Sequence, residues 1–95
     1  MGLSKLLFEL RDEFINSVHF SGDSKEILTS SGLLKGMEFS DIENVARIWD
    51  VNTGEILHSF LGHKDRVVSA NYSRDGNKVL TSSDDLTSII WDKNT

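Results

Sequence analysis

Short runs of apolar, β-branched or aromatic residues alternate with polar turn clusters along this chain. Val67 to Tyr72, Lys78 to Thr81, Ser88 to Trp91 and Glu55 to Leu61 are such runs, separated by Asp75-Gly76, Ser83-Asp84-Asp85 and Asn52-Thr53-Gly54. The pattern predicts strands, because branched and aromatic side chains suit a half-buried pleated surface while Gly, Asn, Asp and Ser favour turns. Asp75-Gly76 predicts a tight hairpin whose positive φ glycine accepts. No segment holds ten residues of helical periodicity without such a break. Leu6 to Arg11 fits either a strand or the start of a helix.

The runs repeat. Ser17-Val18-His19-Phe20-Ser21-Gly22-Asp23 and the following Ile27-Leu28-Thr29-Ser30-Ser31 recur 52 residues later as Ser69-Ala70-Asn71-Tyr72-Ser73-Arg74-Asp75 and Val79-Leu80-Thr81-Ser82-Ser83. Ala46-Arg47-Ile48-Trp49-Asp50 recurs 42 residues later as Ser88-Ile89-Ile90-Trp91-Asp92. The difference places an insertion of ten residues in the first copy, at 32–41. A weaker echo at offset 52 aligns Gly2 and Phe8 with Gly54 and Phe60. The chain therefore reads as one strand, then a unit of four, then a unit of three. Repetition at such a period signals an array of stacked units.

Gly62-His63, the aromatic-Ser-x-Asp-Gly turn from Tyr72 to Gly76, and Trp91-Asp92 together resemble a WD repeat. The resemblance covers nearly the whole chain and is strongest from Gly62 to Asp92. It implies an all-β fold, a partial β-propeller of roughly two four-stranded antiparallel blades. It divides the chain into an outer strand of a preceding blade (1–10), a degenerate blade with its insertion (11–61), and a blade lacking its outer strand (62–95). It also implies a structural hydrogen-bond network of His63, Thr81, Asp85 and Trp91. Indole only donates, carboxylate only accepts, and the other two do both, so such a chain satisfies every buried polar group.

The first unit departs from this pattern. Leu10-Arg11 stands where the second has Gly62-His63, and Glu43 stands at the position of Asp85, while Thr29 and Trp49 are kept. Either the network is broken there, which is the expectation adopted, or Arg11 and Glu43 form a substitute ion pair.

Composition narrows the chemistry. With 95 residues the chain is at most one small domain. A net charge of −5 supplies no basic footprint and disfavours nucleic acid and anionic lipid as partners. Cysteine is absent, which excludes disulfides, thiolate nucleophiles and thiolate zinc sites. No apolar run approaches the ~20 residues of a membrane span, and the first residues lack the pattern of a secretory signal. An intracellular, cytoplasmic protein is the expectation.

His63, Thr81 and Asp85 superficially match a nucleophile–base–carboxylate relay; the structural network is the stronger reading. His19 and His58 lack metal-ligand spacing, and the acidic pairs lack the oxygen ligands of a calcium loop. Gly32 to Gly36 lacks a phosphate-binding pattern. No catalytic residue, metal or cofactor is expected.

The insertion carries Leu33, Leu34, Met37 and Phe39. By the resemblance it lies on the blade end most used for partners, where these residues either anchor another protein or fold back onto the blade. Lys64, Asp65 and Arg66 lie in a neighbouring loop of that end and are either a polar rim or ordinary surface.

Two blades cannot close a propeller, which takes ~4–8. The chain is expected to be a fragment or truncated form of a longer propeller that acts as a non-catalytic protein-interaction scaffold. Two alternatives stand beside it: the sensor or regulatory part of a larger signalling protein, and a two-blade unit that assembles with copies of itself by strand exchange. Three copies would supply six blades and four would supply eight.

Overall fold

A computed structural model describes residues 2, 4–7, 9–10, 14–33 and 43–94. Strands β1 (Ile15–Phe20), β2 (Glu26–Ser31), β3 (Val45–Asp50) and β4 (Ile56–Leu61) form one antiparallel sheet in chain order. Strands β5 (Val67–Tyr72), β6 (Lys78–Ser83) and β7 (Ser88–Asp92) form a second, also antiparallel and in chain order. The fold is all-β, a four-stranded and a three-stranded blade of a partial propeller. The described residues between 2 and 10 belong to no strand.

The same turn chemistry starts both sheets. Asp23 Oδ1 accepts from the Ser21 hydroxyl at 2.7 Å and from Lys25 N–H at 2.9 Å, and Ser21 Oγ accepts from Glu26 N–H at 3.0 Å. In the second sheet Asp75 and Ser73 make the corresponding bonds to Asn77 and Lys78. These side chains stand in for backbone partners and fix the hairpin. The left-handed position of the second turn is Gly76, at φ 77°; in the first it is Ser24, at φ 61°. Each innermost strand also carries a register shift at the same place, Ile15/Ser17 and Val67/Ser69.

Strand alternation gives each sheet two faces. In the first, Leu28 pairs with Ile48, and Ser30 with Ala46, which pairs in turn with Phe60. This face packs on Ala70 and Val79 of the second sheet, with Tyr72 and Trp91 at its edge. Phe60 and Trp91 meet across the seam at 5.4 Å between ring centroids.

Polar contacts flank this core. Asn16 Nδ2 donates to the carbonyl of Val67 at 3.0 Å and that of Gly32 at 3.3 Å. At the other end Glu26 accepts from Tyr72 at 3.2 Å and pairs with Lys93 at 2.7 Å. Burial, seconded by that carboxylate, raises the Tyr72 phenol above its ordinary range, so it stays a donor.

Candidate functional site

His63 follows β4, Thr81 lies in β6, Asp85 sits in the β6–β7 turn and Trp91 lies in β7. Antiparallel pairing of β6 and β7 sets Thr81 beside Ile89, two residues from Trp91. The Trp91 indole donates to Thr81 Oγ1 at 2.9 Å. Thr81 Oγ1 lies 2.7 Å from His63 Nε2, and His63 Nδ1 lies 2.9 Å from Asp85 Oδ2. A carboxylate only accepts, which assigns a proton to Nδ1. In the neutral ring Nε2 then accepts from the threonine hydroxyl, whose lone pair is left for the indole.

Asp85 gathers further donors: the Thr87 hydroxyl and N–H, and the Lys64 N–H at 2.9 Å. The Thr87 hydroxyl first, then the Lys64 N–H and His63, hold its carboxyl far below the usual carboxylate range against the desolvation that opposes them. Thr81 is wholly buried and His63 nearly so. The Thr81 hydroxyl is therefore closed off from solvent and engaged with two ring nitrogens.

The first sheet shows part of the same arrangement. Trp49 Nε1 donates to Thr29 Oγ1 at 2.9 Å. Glu43 bonds Arg47, four residues on. Arg11, its alternative partner, lies outside the described residues.

The loop residues singled out from the sequence separate. Lys64 is exposed. Asp65 is buried, its carboxylate accepting from Arg66 N–H and its carbonyl from the Ser83 hydroxyl. Arg66 is half-buried and pairs with Asp84. Leu33 is half-buried; Leu34, Met37 and Phe39 lie outside the described residues. The sequence reading overlooked Leu86, which is 96% exposed at the tip of the β6–β7 turn with φ 72°. A lone leucine among the polar turn residues Asp84, Asp85 and Thr87 was the available signal.

Among the described residues no cluster of His, Asp and Glu has metal-binding geometry. His19 is exposed, and His58 stacks on Phe60. No helix among them is long and apolar enough to cross a membrane.

The family described as WD domain, G-beta repeat, matches residues 54–92. That stretch begins two residues before β4 of the first sheet and ends with β7 of the second. Autophagy-related protein 16 of Arabidopsis thaliana is 41% identical over 49 residues, which are 52% of this chain and 10% of that protein. Eukaryotic translation initiation factor 3 subunit I of Bombyx mori is 29% identical over 89 residues, 94% of this chain and 24% of that protein. The chain thus spans about a tenth to a quarter of the length of these relatives. The computationally designed Ika4 protein matches the fold over 82% of this chain and 40% of its own, with a TM-score of 0.61 at 20% identity. Residues 54–92 thus match a WD repeat, and the proteins this chain is similar to are WD-repeat proteins.

Proposed function

We propose that the chain is a non-catalytic protein-interaction module, contributing two blades (11–61 and 62–95) to a larger propeller surface, with 1–10 as the outer strand of a preceding blade. The carrying observation is the disposition of the loop end above the His63 network. The polar groups that could do chemistry are bonded to one another, while Leu86 stands exposed in the turn that also holds Asp84, paired with Arg66, and Asp85, which accepts from Lys64 N–H. An exposed apolar side chain in a turn with charged residues suits an anchor with a polar rim. The relatives include subunits of assemblies, such as the initiation factor subunit, which supports protein partners.

The test compares proteins retained by the immobilised wild-type chain and by Leu86→Asp. A stoichiometric protein held by the first and lost from the second, with both chains melting at the same temperature, is the expected result. Identical retention by the two would overturn the reading.

A further inference from the structure

The contact between the two sheets is a template whose two halves recur, uncovered, on the outside of the chain. Inside, the face bearing Leu28 and Ile48 is fully covered by the face bearing Ala70, Tyr72 and Val79. The repeat carries Leu28 to Leu80 and Ile48 to Ile90. Leu80 and Ile90 pair directly across β6 and β7, as Leu28 and Ile48 do across β2 and β3. Yet Leu80 is 44% and Ile90 70% exposed. The repeat equally carries Ala70, Tyr72 and Val79 back to Val18, Phe20 and Ile27 on the far side of the first sheet. There Val18 is 54% and Phe20 63% exposed.

A second observation concerns the edge of β7. Strand β3 has β4 outside it, but among the described residues no strand lies outside β7. Strand β4 belongs to the first sheet and leads directly into β5 of the next. In sequence, residues 2–10 precede β1 as β4 precedes β5, and they carry the sequence echo of β4. Leu7 and Leu10 line a cleft with Phe20 and Ile27, on the outer side of the first sheet. Phe60 of β4 likewise lies against Trp91 of the second.

We propose that two copies of this chain join head to tail, the Leu80–Ile90 face of one seated on the Val18–Phe20–Ile27 face of the next. The second copy's Leu7 and Leu10, in their cleft with Phe20 and Ile27, are then brought toward the open edge of β7. Both mates carry exposed apolar side chains, and the charged pair at the margin of the first, Lys78 opposite Asp92, is neutral in sum. The contact is heterologous, so it propagates from copy to copy and ends only by closing into a ring. This inference rests on the reading of the chain as an interaction module, but not on the Leu86 rim.

The test is the particle mass of the full chain by light scattering over a wide concentration range, with circular dichroism on the same samples. Wild type is expected to form particles of several chains. Ile90→Lys and Val18→Lys each block one mate and are expected to fall to single chains. Mixing the two variants leaves one intact pairing and is expected to give particles of two chains. Where a lysine variant loses its β spectrum, Ile90→Ser or Val18→Ser makes the same comparison. A wild type of single chains throughout overturns the proposal. So does an unchanged mass in both variants, or loss of assembly in Ile90→Lys alone, which marks a like-with-like contact. A folded single chain would leave the Leu86 reading standing, because the Leu86→Asp comparison tests it separately.

Discussion

Trp91 donates its indole N–H to Thr81 at 2.9 Å, the same distance that separates Trp49 from Thr29 in the other sheet. The two threonines differ in what else they hold. Thr81 also bonds His63, at 2.7 Å. Removing the hydroxyl from a buried site strands each partner, at about 1–3 kcal/mol per group. Thr81→Val is therefore expected to cost about 2–4 kcal/mol, and Thr29→Val about 1–2. Urea midpoints of the two variants check the order, and equal losses would contradict it.

Gly32 stands at φ 132°, and a Cβ there would lie 2.5 Å from Asn44 Oδ1 and 2.8 Å from Arg66 Cα. Backbone strain and a backbone clash add, so Gly32→Ala is expected to lose about 3 kcal/mol or more. Gly76 also has positive φ but open space around its Cβ position. Gly76→Ala should lose only about 1 kcal/mol. Chemical denaturation of the pair separates strain alone from strain with collision.

Ser24 occupies the left-handed position that Gly76 fills in the second turn. A non-glycine residue there costs roughly 1–2 kcal/mol, part of which glycine returns as entropy of the unfolded chain. Ser24→Gly is expected to gain about 0.5–1 kcal/mol, raising the melting temperature by a few degrees (~4–8 °C per kcal/mol). A lower melting temperature would show that the serine contributes more than its strain costs.

The Asp85 carboxyl is depressed in the folded state, first by the Thr87 hydroxyl. A depressed acid binds its proton less readily folded than unfolded. Its stabilisation is present above the unfolded value of about 4 and is lost as pH falls below that. Asp23, through the Ser21 hydroxyl, and Asp75, through the Asn77 N–H, are lowered as well and act in the same direction. Asp85→Asn is expected to flatten the loss of stability with acid without abolishing it. Denaturation curves at successive pH values below 5 would reveal an unchanged slope if Asp85 had no part.

The strands were legible because their signals are local. Asp75-Gly76 and Ser73 specify a hairpin from side-chain chemistry alone, and the 52-residue echo transfers it to Ser21 and Asp23. Covering was not legible. Leu28 and Leu80 occupy equivalent positions in near-identical strings, and only the stacking of sheets decides that one is hidden and the other bare. Asp65 and Leu86 show the same limit in reverse. The charged loop residue is buried, its carboxylate accepting from Arg66 N–H and its carbonyl from the Ser83 hydroxyl, while the apolar one is exposed in its turn.

The seam between the sheets is fastened at both ends of its strands, by Asn16 on Val67 at one and by Glu26 with Tyr72 and Lys93 at the other. Two fastenings a strand's length apart do more than hold. They set the pitch of one layer over the next and forbid it to pivot. Whatever third layer is laid on this pair inherits that pitch, so the curvature of the whole stack is already written in the side chains of its first joint.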